Sequence, residues 1–153
     1  MDVTNNFSPN PDYFTAVTWR RLMGSKVLNI GVTHSGNNAS DQEVFHAYAH
    51  CGVVKGKVGI AFINIDTEKS FNLYLTNVNA VADLYHFTAN GNSLYSKVMN
   101  LNGKPLLLTG DKVPPIKPTQ VDLKNGEFVV ASPSSFGFII YACDDEEKCV
   151  CKQ

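Results

Sequence analysis

No stretch of eighteen consecutive apolar residues occurs in this chain, so no segment reads as a membrane-spanning helix. No block of lysine or arginine occurs either. The 13 basic residues are scattered from Arg20 to Lys152 and are nearly balanced by 14 acidic ones. A net charge of −1 without a basic face argues against nucleic acid as a partner. The opening residues, Met1 to Asn6, contain neither a basic stretch nor an apolar one, so they do not read as a secretory signal. Internal repeats and low-complexity blocks are absent too, which removes arrays and linkers from consideration.

What is present is an ordinary globular composition, 44% hydrophobic and 18% charged over 153 residues, enough for one domain with a real core. Four cysteines and two glycosylation sequons, Asn6-Phe-Ser8 and Asn38-Ala-Ser40, fit a secreted protein. The first thirty residues are the most informative. Asn10 is a suitable N-cap, Pro11 suits the first helical position, and Gly24 reads as a stop, which predicts a helix over Asp12 to Met23. Its apolar residues, Tyr13, Phe14, Ala16, Val17, Trp19, Leu22 and Met23, spread around most of its circumference instead of forming one stripe. Such a helix needs partners on several sides. Only one domain follows it, and the expectation is that a further segment lies upstream.

Beyond Gly24 the pattern becomes extended. Lys26–Thr33 reads as a strand, and residues 35–41 as a polar loop. Val44–Cys51 alternates, with Phe45, Ala47, Ala49 and Cys51 on one side and His46, Tyr48 and His50 on the other. Val58–Ile65 is continuously apolar, and Phe71, Leu73 and Leu75 alternate again. Three Asn-Gly pairs, at 90–91, 102–103 and 125–126, fall between strand-like runs and suit type I′ hairpin turns. Residues 112–118 carry too many prolines for a central strand, and Phe136–Ala142 closes the pattern. Eight or nine short strands at hairpin spacing define a mainly β fold, an antiparallel β-sandwich.

The candidate chemical groups do not assemble into a site. His46 and His50 would make a metal pair on a helix, but on a strand they stand about 13 Å apart. His50 and Cys51 are adjacent on a strand and so point to opposite faces. His34 and His86 read as surface or interface residues. Glu43, in the loop before a strand, Glu68 and Glu127 beside turns, and Glu146 and Glu147 in the tail all read as solvated carboxylates. Tyr13, Phe14 and Trp19 read as core or interface residues in preference to sugar-stacking ones. No metal, cofactor or catalytic residue is assigned.

The ordered motifs resemble one family. Ser8-Pro-Asn-Pro-Asp-Tyr-Phe through Trp19-Arg-Arg-Leu-Met-Gly is similar to the last barrel loop and helix of the heparanase-like glycoside hydrolases, glycoside hydrolase family 79. Ala47-Tyr-Ala-His-Cys51, Ile60–Ile65, Tyr85–Ala89, Leu101–Leu108 and Phe138–Cys143 follow in the family's order, with wording closest to the plant-type heparanase-like proteins and glucuronidases.

The resemblance implies a fold in which a (β/α)8 barrel carries the chemistry and a β-sandwich packs against it. It divides this chain into residues 1–25 as the barrel's terminal loop and helix, 26–143 as the sandwich and 144–153 as an acidic tail. A retaining hydrolase of this kind needs two carboxyl groups roughly 5 Å apart, one as acid/base and one as nucleophile. The family's Asn-Glu-Pro acid/base motif occurs nowhere here, so the chain is expected to be non-catalytic. Its partner is then the missing barrel, in the same or a separate chain, acting on β-glucuronide bonds of glycans, glycoconjugates or small glucuronides.

The family also places a sandwich disulfide at the positions of Cys51 and Cys143, with two buried free thiols as the alternative. Cys149 and Cys151 are left as free, intermolecular or vestigial. The implied location of the parent protein is extracellular, or lysosomal or vacuolar, with peripheral membrane association open. A different class of reading remains: a stand-alone sandwich that binds carbohydrate or protein, with aromatics exposed on one face and its first helix folded over its own sheet.

Overall fold

The computed structural model describes residues 9–33, 39–92, 95–109, 112–124, 127–143 and 149–152. Sequons Asn6 and Asn38, His34, the Asn125-Gly126 pair, Glu146 and Glu147 lie outside them. Helix α1 (Pro11–Leu22) passes directly into β1 (Met23–Leu28), and a short α2 (Ala39–Val44) precedes β2 (Phe45–Gly52). Then follow β3 (Lys57–Asn64), β4 (Phe71–Tyr74), β5 (Val81–Ala89), β6 (Met99–Leu101) and β7 (Lys104–Pro105). β8 (Thr119–Asp122), β9 (Phe128–Ala131) and β10 (Ser135–Ala142) complete the chain.

The strands form two antiparallel sheets of unequal size. The large one runs β1-β2-β3-β10-β5-β6-β7, with β8 also paired to β5; the small one, among the described residues, is β4 against β9 alone. β10 sits at the centre, in unbroken register with β3 from Ser135↔Asn64 to Ala142↔Lys57 and with β5 from Ser135↔Thr88 to Ile140↔Asp83. A strand paired on both edges and apolar on both faces must be covered on both sides. Ile139 joins Phe45, Ala49, Ile60 and Phe62 in a core closed by Val129 and Ala131 of the small sheet. Phe138 and Ile140 point the other way, into a second core with Phe14, Ala61, Phe87, Met99 and Leu101. The alternation read along residues 45–51 holds, since Phe45, Ala47, Ala49 and Cys51 all lie in the first core.

Several boundaries differ from the sequence expectation. The helix ends one residue early, with the Met23 N–H bonded to the Trp19 carbonyl and no glycine cap. Gly24 serves another purpose. A Cβ there would come within 2.6 Å of the Cys51 carbonyl oxygen, so the residue is small because β1 meets the end of β2. β1 accordingly covers Met23–Leu28 and not Lys26–Thr33. Glu43 lies in α2, within a stretch read as loop, and is exposed there. Asn102 (φ 49°) and Gly103 (φ 76°) do form the two-residue turn between β6 and β7. Asn90 and Gly91 instead belong to a single 3-10 turn.

The cysteine pairing is corrected outright. Cys51 bonds Cys151, and Cys143 bonds Cys149, so Cys51–Cys143 is not formed and neither tail cysteine is free. The reason is local. The Cys143 N–H donates to the Gly56 carbonyl, and the Gly56 N–H to the Cys151 carbonyl, so the chain returns to the β2–β3 turn twice. That return carries Cys151, 2% exposed, into the end of the first core beside Cys51.

The two bridges close loops of very different size, 100 and 6 residues in sequence separation. Loop-closure entropy then assigns about 4–5 kcal/mol to the first and about 2 kcal/mol to the second. We expect Cys151→Ser to lower unfolding stability by roughly twice as much as Cys149→Ser, measured by denaturant titration. Non-reducing peptide mapping should recover 51–151 and 143–149 as the linked pairs.

Candidate docking face

Helix α1 lies on one face of the large sheet and buries only one stripe of itself. Phe14 (3% exposed) and Thr18 (1%) face inward one turn apart, and the Thr18 hydroxyl donates to the Phe14 carbonyl at 2.7 Å. Leu22 packs partly against the same core. Tyr13 and Trp19 remain exposed, at 40% and 37%. Trp19 is held in place nonetheless: its ring meets His50 and Phe138 edge-on, at centroid distances of 5.3 and 6.2 Å. His50 is fixed in turn by a 2.8 Å hydrogen bond between Nδ1 and the Gly24 carbonyl.

The sheet beside the helix continues this apolar surface. Tyr48, on the same side of β2 as His50, is 55% exposed, and Ile63 of β3 is 37% exposed. Near the first residue of α1, Pro11, Ile63, Ile65, Val98, Met99 and Phe136 line an apolar groove of about 310 Å³. Pinned aromatic rings, exposed aliphatic side chains and a groove on one face are what a protein contact uses. The charged groups of the helix, Asp12, Arg20 and Arg21, are all exposed.

The other residues considered from sequence stay apart. His46 bonds the Glu43 carbonyl through Nε2, a local contact before β2. Glu68 and Glu127 are exposed, and among the described residues no three His, Cys, Asp or Glu side chains gather. The Asp66 carboxyl is held below its ordinary range by the backbone N–H groups of Lys69 and Glu68, which makes it a turn-former. His86 does not fit the surface reading. Its ring lies 5.9 Å from that of Phe62, and its Nε2 is buried with no hydrogen-bond partner among the described residues. The signal in sequence was its place in the apolar run 84–88.

A family-profile search matches nothing for this chain. Curated relatives do align, over about nine-tenths of it. The baicalin-β-D-glucuronidase of Scutellaria baicalensis is 33% identical over 139 residues, covering 89% of this chain and 25% of that protein. Heparanase-like protein 2 of Arabidopsis thaliana is 28% identical, with 94% and 31% covered. Bovine heparanase is 29% identical, with 90% and 26% covered. The chain is therefore a heparanase-like sequence, and it spans about a quarter to a third of the length of the relatives it matches.

Burial lowers the His86 pKa below its ordinary value of 6.5. The unfolded chain then binds a proton that the folded chain resists, so stability is full above about pH 6.5 and falls as the pH drops below it. Replacing His86 by Leu is expected to flatten that acid-side slope, read from unfolding midpoints between pH 7.5 and pH 5.

Proposed function

We propose that this chain is the non-catalytic C-terminal portion of a retaining glycoside hydrolase acting on β-glucuronide bonds. In this reading residues 1–25 are the last loop and helix of the catalytic (β/α)8 barrel, 26–143 the supporting sandwich and 144–153 a tail. The barrel belongs to the same polypeptide or to a separate chain. The observation that carries the proposal is α1, a helix that buries one stripe on the sheet and leaves Tyr13 and Trp19 partly exposed on either flank, in a sequence matching only a quarter of a glucuronidase. The sandwich supplies half of the helix's surroundings, and the barrel would supply the rest.

The substrate class follows from the relatives' names and from charge. The Scutellaria relative is named a β-D-glucuronidase, and the near-neutral balance of 13 basic and 14 acidic residues gives this part no attraction for a sulfated polymer. Small glucuronides or weakly charged glycans are thus favoured over long heparan sulfate chains. The parent protein would be secreted, lysosomal or vacuolar, which suits two disulfides. No helix among the described residues is long and apolar enough to cross a membrane.

A second reading, a stand-alone binding module, draws on one specific observation: α1 does fold back over its own sheet. It also gains an exposed aromatic pair, Tyr74 and Phe128, with ring centroids 5.1 Å apart. The two readings differ in what the outer face of α1 is for. A module that is complete in itself has no use for an uncovered Tyr13, Trp19 and Tyr48 on the helix side.

Purified residues 1–153 should leave an aryl β-glucuronide uncleaved under conditions where the full-length relative turns it over. Hydrolysis by this mechanism needs a proton donor and a nucleophile held together, and no Asn-Glu-Pro motif is present to supply the first. Turnover by the short chain at a rate comparable to the relative's, with no barrel co-purifying, would refute the assignment.

A further inference from the structure

Among the described residues two asparagines are followed by glycine, Asn90 and Asn102, and the fold treats them in opposite ways. An Asn-Gly step lets a backbone nitrogen attack the preceding side-chain amide, because glycine has no side chain to bar the approach. Whether it does so depends on how freely the asparagine side chain can turn toward that nitrogen.

Asn102 cannot turn. Its Oδ1 accepts the His86 N–H at 2.8 Å, and its Nδ2 donates to the Leu84 carbonyl at 3.0 Å. Its own N–H donates to the His86 carbonyl at 2.7 Å. Both ends of the side-chain amide are thus taken by the backbone of β5, which pins the turn between β6 and β7 against that strand.

Asn90 stands just past the end of β5, with its backbone N–H on the Val98 carbonyl at 3.0 Å. The residue is exposed, and its side chain makes no hydrogen bond among the described residues. Gly91 has φ 68° and ψ 19°, so the turn is not a regular helix, and a Cβ on Gly91 would meet nothing within 4 Å. The space around this step is open, and nothing fixes the amide.

We propose that Asn90 is a site of spontaneous covalent modification, its side-chain amide becoming a carboxylate, and that hydrogen bonding spares Asn102. First the Gly91 nitrogen bonds to the Asn90 side-chain carbonyl carbon and gives up its proton, and the side-chain nitrogen leaves as ammonia. A cyclic imide results. Water then adds to either imide carbonyl and breaks its bond to the Gly91 nitrogen. Cleavage at the side-chain carbon leaves aspartate; cleavage at the main-chain carbon leaves isoaspartate, with the chain running through the side chain. No electrons are transferred, and water is the only co-reactant.

The position gives the change a consequence. Ala89, next to Asn90, and Val98, its hydrogen-bond partner, both line the apolar groove beside Pro11. Conversion adds a negative charge there to a chain of net charge −1. Contact surfaces are depleted of charge at their centres, so an aged groove is a poorer one. The modification itself does not depend on the parent-enzyme reading.

The test incubates the 153-residue chain in mildly alkaline buffer, with protection of β10 amides from hydrogen exchange verifying that it stays folded. Peptide mass spectrometry, with fragmentation to locate each change, should find residue 90 converted to a mixture of aspartate and isoaspartate. Residue 102 should lag by roughly thirtyfold, the factor that two ordinary hydrogen bonds supply. In concentrated denaturant the two sites should convert at similar rates, which assigns the difference to the fold. Equal conversion of both sites in the folded chain overturns the proposal. So does a residue 90 that keeps its amide in the folded chain while the denatured chain loses it.

Discussion

Strand β10 sets the terms for the rest of the molecule. It pairs with β3 on one edge and β5 on the other, and its side chains are apolar on both faces. Phe138 and Ile139, adjacent in sequence, are 2% and 0% exposed because each enters a different core. One face is closed by the ribbon of β4 and β9, the other by α1. Gly137 shows how tight the arrangement is, since a Cβ there would run into the ring of Phe62 laid across it. Burying a phenylalanine side chain contributes about 1.5–3 kcal/mol, so Phe62, Phe87 and Phe138 together outweigh any single surface contact.

The ribbon is tied to the central sheet by a polar group as well as by the core it covers. Asn64, 1% exposed at the end of β3, donates through Nδ2 to the carbonyls of Lys69, Ala131 and Ser132, while its Oδ1 accepts the Asp66 N–H. One side chain thus ties the end of the central sheet to both approaches of the small one. A buried amide satisfied on both ends specifies position as well as adding stability.

How far the sequence disclosed this depends on how local each cause is. The face alternation of 45–51, the apolar runs at 58–65 and 136–142 and the Asn102-Gly103 turn are set by neighbours in the chain, and they read correctly. Gly24 misled because its partner is the Cys51 carbonyl, across the sheet, so a residue with a clear local meaning had a distant one. The four cysteines allow three pairings, and the Gly56 turn that selects among them lies outside any cysteine spacing. The face of α1 was half legible. Its scattered apolar residues announced several contacts, but which stripe met the sheet depended on where Phe14 and Thr18 landed.

The two cores share β10, yet neither is covered to the same extent on its outer side. On one side α1 shields the sheet but leaves Tyr48, Ile63 and its own Trp19 in solvent; on the other, two strands stand opposite eight, with a slot beside them. Isolated exposed apolar residues are ordinary on a soluble protein, whereas apolar residues clustered around a groove are not. Their positions matter more than their number. Both surfaces adjoin segments that precede β2, α1 in one case and Ile30–Thr33 in the other. The residues that form them come from across the chain, Ile63, Met99 and Phe136 on one side and Phe71–Tyr74 on the other, so each surface exists only once the sheet has assembled.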